Sequence, residues 1–369
     1  LDLSPDQKLQ LRDTADEDLC SSFAGYTRAE LRKARALIRA DARKNARAHP
    51  PMVSGGSREE MRAEIARLSR QVSELSAPAI DPRKIAIPKK HRGAQRESVA
   101  IICASDWHAE ETVTREQTNG LNEFNLDVFE SRAKWLFANA AAMVGKEAAA
   151  APVSRVILWL GGDLISGSIH EDLIEGNSLG PIDALSLVQD VAAGGIDALV
   201  RDTKIPVDVI VSVGNHSRIT RERRVQTEHA NSLEWLLGLS LGRHYSGHKH
   251  IRVICERAYH TYVDVLGHVV RFHHGHNLRY AGGVNGLNVP AARAVAEWNR
   301  GRAAELDVFG HFHALTFGRD FAANGSLVGH NAFAVSIRAA YQQPSQAFLL
   351  IDSRHGLTTR APIYLDAPC

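Results

Sequence analysis

Along residues 1–97 apolar positions recur singly, at helical spacing, within polar stretches; from residue 98 they gather into short runs of Val, Ile and Leu separated by longer Ala- and Leu-containing segments. The first texture predicts amphipathic helices, the second the strand–helix alternation of an α/β domain. Ser4-Pro5-Asp6-Gln7, Thr27-Arg28-Ala29-Glu30 and Ser57-Arg58-Glu59-Glu60 each match a capping box, in which the hydroxyl and the acid or amide three residues on satisfy free N–H groups. Helices are therefore expected near 5–22, 27–47 and 57–75. In the third, Met61, Ile65, Leu68, Val72 and Leu75 alternate at spacings of four and three, a short a/d seam that could zip to another copy or pack within the chain. His49-Pro50-Pro51 through Gly55-Gly56-Ser57 and the basic, Pro-containing stretch 76–97 read as linkers. The Ala-rich stretch 138–151 reads as a core helix, too short to span a bilayer.

Five β-type runs end alike. Val99–Cys103 leads into Ser105-Asp106-Trp107-His108, and Val156–Leu160 into Gly161-Gly162-Asp163. Val207–Val213 leads into Gly214-Asn215-His216, Val269–Phe272 into His273-His274-Gly275-His276, and Leu306–Phe309 into Gly310-His311-Phe312-His313. Ligands of α/β sheets bind at the carboxyl ends of strands, so these residues can converge across more than two hundred positions. The neighbouring glycines would let the backbone turn sharply there. Asp, Asn and His without thiolate suit Mn, Fe, Zn or Ni at a catalytic centre rather than a closed structural zinc.

Composition sharpens this picture. There are 18 histidines and only 4 cysteines, and Cys20, Cys103, Cys255 and Cys369 contain no C-x-x-C pair, so neither a disulfide framework nor a thiolate zinc site is indicated. A reducing, cytoplasmic setting is the expectation. No charged n-region precedes an apolar core at the start and no run of 18 apolar residues occurs, so no membrane association is expected. The net charge of +2 conceals an asymmetry: residues 1–97 carry 20 Lys+Arg against 14 Asp+Glu, and residues 98–369 carry 24 against 28. The basic part concentrates Arg28, Arg32, Lys33, Arg35, Arg39, Arg43, Lys44 and Arg47 on one expected helix, a candidate nucleic-acid arm or a solvated helix face.

The ordered set D-x-H, G-D, G-N-H, H-G and G-H-x-H resembles the calcineurin-like metallophosphoesterase superfamily over residues 99–315, with strands continuing to about 352. The resemblance implies a four-layer α/β/β/α sandwich over residues 98–369, after the basic helical region 1–75 and the linker 76–97. It implies two divalent metals: one held by Asp106, His108, Asp163 and His313, the other by Asp163, Asn215, His274 and His311, with His216 the acid at the leaving oxygen. Two such cations lower the pKa of a bridging water and neutralise phosphate oxygens. Mn is the favoured metal, with Fe, Zn or Ni as alternatives.

Departures from the family narrow the function. Ser166 stands where phosphoprotein phosphatases have an Asp that orients the acid His, Gly167 stands where they have an Arg, and His216 is followed by Ser217-Arg218 rather than an acidic residue. The chain resembles more closely the nuclease-like and phage-type members, whose loop after the G-D strand carries another His, here His170. A phosphodiesterase or nuclease acting on DNA is the expectation. A small-molecule phosphoesterase and a decayed, metal-bound DNA adaptor are the alternatives. His170, Arg218 and His276 are candidate substrate contacts, and residues 57–75 a candidate homo-oligomer element. Trp107, between two candidate ligands, could stack a base but more simply packs.

Overall fold

The computed structural model describes residues 4–13, 23, 27–48, 58–75, 97–280 and 286–366. The chain divides into two compact units, Leu1–Lys89 and Lys90–Cys369. Of the expected linkers, 49–57 and 76–96 lie outside the described residues.

The first unit contains helices α1 (Pro5–Asp13), α2 (Arg28–Ala48) and α3 (Arg58–Leu75). The first expected helix is followed to Asp13; residues 14–22 lie outside the described ones. Two capping boxes form. Ser4 N–H donates to Gln7 Oε1 at 2.9 Å while Gln7 N–H donates to Ser4 Oγ at 3.3 Å, and Thr27 and Glu30 repeat the exchange at 2.9 and 3.4 Å. The third box begins at Ser57, outside the described residues. Leu11, Phe23 and Leu31 make a small buried cluster flanked by Ala34 and Ile38. The Arg39 guanidinium donates to the Arg12 carbonyl at 2.7 Å, satisfying an acceptor that the end of α1 leaves free. On α3 the seam residues Met61, Ile65 and Leu68 are 50, 61 and 46% exposed.

In the second unit β1 (Ser98–Ala104), β2 (Val153–Leu160), β3 (Val207–Val211) and β4 (Ile251–Cys255) run parallel, and β10 (Ser345–Asp352) and β11 (Gly356–Tyr364) extend the sheet antiparallel beyond β1. A second sheet has the order β5 (Thr261–Val265), β6 (His268–Phe272), β7 (Leu306–Phe309), β9 (Phe321–Ala323), β8 (Thr316–Phe317). Strand residues alternate between two cores. Ala100, Ile102 and Ala104 pack under Phe129, Leu136 and Val144 of α4 (Leu126–Ala150), Val188 and Ile196 of α6 (Pro181–Thr203) and Leu237 of α7 (Leu233–His244). Val99, Ile101 and Cys103 face Val270, Phe272 and Val308 of the second sheet. The outer side of that sheet is covered by α8 (Asn288–Trp298), with Phe309, Phe321 and Ala291 in contact. Strands buried on both faces read as continuous apolar runs for this reason. The unit is an α/β/β/α sandwich, and two short helices, α5 (Glu171–Gly176) and α9 (Ala332–Ser336), complete it.

Two local expectations are corrected. The 138–151 stretch is not a core helix of its own but the second half of α4, in which Ala140 and Val144 are buried while Ala138, Ala142 and Ala148 are exposed. Uniform small side chains carry no amphipathic signal, so the pattern could not tell one buried face from full burial. The sheet also does not stop near 352: β11 pairs with β10 from Ser345↔Tyr364 to Asp352↔Gly356. As an edge strand exposed on one face, it lacks the apolar run that revealed the others. No helix among the described residues is long and apolar enough to cross a membrane.

Candidate metal centre

Parallel pairing sets the strand ends level: Ala104 opposes Leu160, Leu160 opposes Val211, and in the second sheet Phe272 opposes Val308. The following loops lace together, Asp106 N–H donating to Gly162 O (2.9 Å), His108 N–H to Asp163 O (3.1 Å) and Gly310 N–H to His274 O (2.8 Å). Residues separated by up to 207 positions thus meet at the common edge of both sheets.

The backbone there is strained. Asp106, His108, Asp163, His311 and His313 have φ of 54, 48, 49, 73 and 52°, the left-handed region that side-chain-bearing residues avoid. Each costs about 1–3 kcal/mol, which the surrounding packing must offset, and such residues cluster at functional sites. The glycines divide between two jobs: Gly162 and Gly275, with φ of 88 and 113°, make the sharp turns expected of them. Gly214 and Gly310 do not make the sharp turns; a Cβ on Gly214 would strike the Asp163 carboxylate, and one on Gly310 the carboxylate of Asp106. They admit close approach, and the ligand candidates themselves adopt the turn.

Three groups of side chains bring donor atoms within 4.8 Å of one another: Asp106, His108 and His313; Asp163, His274 and His311; and His108, Asp163 and His216. His108 Nε2 and His313 Nε2 face each other at 3.1 Å, and His274 Nε2 lies 2.9 Å from Asp163 Oδ2. At this centre the buried Asn215 Oδ1 has no hydrogen-bond partner, and His274 Nε2 is paired with the Asp163 carboxylate. The ring atoms turned away from this focus are held. Gly161 O lies 2.8 Å from His274 Nδ1, and because a carbonyl only accepts, the hydrogen sits on Nδ1 and Nε2 is the atom offered to a cation. Ser166 Oγ holds His108 Nδ1 at 3.0 Å. Convergent carboxylate, amide and imidazole donors, with the Asn215 amide oxygen unpartnered, fit divalent cations.

Electrostatics agree. Burial holds His108 and His311 well below the usual imidazole range and lowers His313 to about 4. These rings are neutral, the form that ligates. Burial pushes Asp106 up to about 7, with the Asp163 charge adding to it. For His274 burial is outweighed by the Asp163 carboxylate, which lifts it to about 10, and Asp163 in turn is held well below the usual range by His274 and His216 against its burial. Without a cation, a proton on His274 takes the place of positive charge.

The two serines that depart from the family pattern have definite places. The Ser166 carbonyl accepts from His216 Nδ1 at 3.1 Å, so the backbone of residue 166 orients the ring. Ser217 Oγ donates to Glu234 Oε2 at 2.9 Å. Glu234, in the first turn of α7, was not singled out by the sequence; it is fully buried and also accepts from Leu164 N–H (2.6 Å) and Gly214 N–H (2.7 Å), cross-tying the loops after β2 and β3. An acid three positions after a run ending in Asn231 reads as an ordinary helix-start residue, and only the meeting of the two loops makes it a clamp. Asn324 and Gln346 were missed as well: they hold Ser105, whose hydroxyl donates to Asp106 Oδ2 at 2.5 Å.

The candidate substrate contacts separate. His170 is exposed, its ring 6.0 Å from that of His216. The Arg218 guanidinium is engaged by its own loop, donating to Asn215 O (2.6 Å), Thr220 O and Arg221 O. His276 lies beside His274, ring centroids 5.4 Å apart, with Nε2 3.0 Å from Glu228. Trp107 is fully buried against Phe129 and Phe137, the packing role rather than a base-stacking one.

No family model and no curated protein matches the sequence. Among solved structures, the chain is similar to a Streptococcus pneumoniae TIGR4 protein described as a predicted phosphoesterase, at 12% identity and a TM-score of 0.28, covering 72% of this chain and 98% of that one. It is similar also to Vps29 of Entamoeba histolytica complexed with Zn2+ (11%, TM-score 0.29, 72% and 99%) and to Vps29 of Cryptosporidium parvum (10%, 0.29, 73% and 97%). At such identities and TM-scores, what the centre does rests on its own geometry.

Proposed function

We propose that the chain is a two-metal hydrolase of phosphodiester bonds, a nuclease acting on DNA, with Mn2+ as the favoured ion. The observation that carries this reading is the convergence of five left-handed Asp and His residues, with His274 and the unpartnered, buried Asn215 Oδ1, on donor groups within 4.8 Å of one another. When bound, paired divalent cations would neutralise phosphate oxygens and activate water. The chain's residues do the rest. Asp163, in two of the three donor groups, would be shared by the two cations. His216, with Nδ1–H committed to the Ser166 carbonyl, presents Nε2 for a proton passed to the leaving oxygen. The Arg-rich α2 would recruit the polyanion and the α3 seam would join copies.

The test is hydrolysis of bis-p-nitrophenyl phosphate by the Mn2+-loaded chain, with Asp163→Asn and His216→Ala alongside. Activity in the wild type and its loss in both variants is the expected result; unchanged turnover in either variant ends the proposal. Deleting residues 1–97 should weaken DNA cleavage while sparing the small diester.

A further inference from the structure

Two loops meet beside the candidate centre and leave part of their basic side chains exposed. The segment after Asn215-His216 contains four arginines, of which two are consumed: Arg218 by its own backbone, and Arg223 by Glu228 (2.9 Å) and Asn277 Oδ1 (2.6 Å). Glu228 also lies 3.0 Å from His276 Nε2, and the His276 ring stands 5.4 Å from that of the ligand candidate His274. The Arg223–Asn277 and Glu228–His276 contacts therefore fasten the 218–228 loop to the 276–280 loop at the edge of the centre. Arg221 and Arg224, on either side of the fastening Arg223, are exposed and have no ion pair or hydrogen bond from their guanidinium among the described residues. On the other loop Tyr280 is 63% exposed and follows the exposed Arg279, three positions past the fastening Asn277, within about 10 Å along the chain. Exposed Ile219 and Val225 add apolar surface.

Resting on the phosphodiesterase reading above, we infer that this fastened lip binds a single polynucleotide strand, with phosphates on Arg221 and Arg224 and a base on Tyr280, delivering the scissile bond to the centre. Guanidinium forks match phosphate oxygens bidentately, and an exposed ring offers a face on which any unpaired base can stack. A duplex keeps its bases inside and could use only the arginines. The commitment is thus to single-stranded over double-stranded substrate.

The experiment measures binding of a fluorescent single-stranded oligonucleotide, and of the same sequence as duplex, to the full chain by anisotropy across a salt series. It compares Arg221→Ala/Arg224→Ala and Tyr280→Ala with the wild type, bis-p-nitrophenyl phosphate hydrolysis serving as a separate report on the centre. The double variant should bind the strand about tenfold or more weakly, its log K against log salt slope falling by roughly one to two. Tyr280→Ala should weaken the single strand about tenfold and the duplex little. Equal binding by variants and wild type, equal loss on strand and duplex for Tyr280→Ala, or parallel loss of small-diester hydrolysis each overturns the lip. Because binding needs no turnover, failure of the lip and failure of the hydrolase are distinguishable: a wild type that binds the strand yet hydrolyses no diester sinks only the latter.

Discussion

The two units are held by opposite kinds of interaction. In Leu1–Lys89 the described bonds are mostly short-range, capping boxes spanning three residues and one small cluster of Leu11, Phe23 and Leu31. In Lys90–Cys369 the bonds that matter cross the chain: Ser105 to Gln346, Leu164 to Glu234, Arg132 to Leu327 O, and a fully buried Arg271–Asp307 pair at 2.6 Å. Substitutions at exposed positions of the first unit away from its caps should change stability little. A unit that buries charges and left-handed Asp and His residues depends on each partner, because a buried group left unpaired costs far more than the bond contributes.

Removing the shared carboxylate should separate the units most sharply. Asp163→Asn is expected to lower diester turnover at least about a thousandfold and to abolish tight Mn2+ binding in calorimetry. Helicity of the first unit, followed by hydrogen exchange of α2 amides, should not move. Retained metal affinity would show that Asp163 is not a ligand.

Next in size is the proton competition. Below about 10, His274 carries a proton in the absence of metal, and below about 7 Asp106 does too; both must lose it to ligate. Metal affinity should therefore rise with pH, by at least about a hundredfold from pH 6 to pH 8, with proton release detectable as buffer-dependent binding heat. A flat profile would place the proton elsewhere.

Glu234→Gln keeps the size of the clamp but sets an amide against one of the N–H donors from Leu164 and Gly214. The expected loss is about 2–4 kcal/mol in denaturant unfolding of the second unit, accompanied by weaker metal binding. If stability falls but metal affinity does not, the clamp supports the fold and not the centre.

The smallest effect belongs to the first unit. Thr27→Ala removes one side of a capping box and should destabilise the start of α2 by about 1 kcal/mol, seen as faster exchange of its first amides with no change in α7. Spread of the effect beyond the first turn of α2 would show that the box does more than cap the helix.

Much of this contrast was legible beforehand. Boxes at Ser4 and Thr27 need only neighbours three residues away, and the apolar runs ahead of Asp106, Asp163, Asn215, His274 and His311 declare strands buried on both faces. The edge strand β11 and the half-exposed α4 were less legible, because a mixed or uniformly small pattern fits more than one burial.

The sequence by itself determined which side chains are available and where strands stop, since strand propensity, capping and the residues after each run are local properties. Only the tertiary structure decided what holds them. That the Ser166 carbonyl orients His216, that Glu234 joins the loops after β2 and β3, and that Arg218 is engaged while Arg221 and Arg224 are exposed are outcomes of parallel register and loop contact. Such bonds join positions whose separation along the chain carries no periodic signal, so they exist only once the sheets have brought the strand ends level.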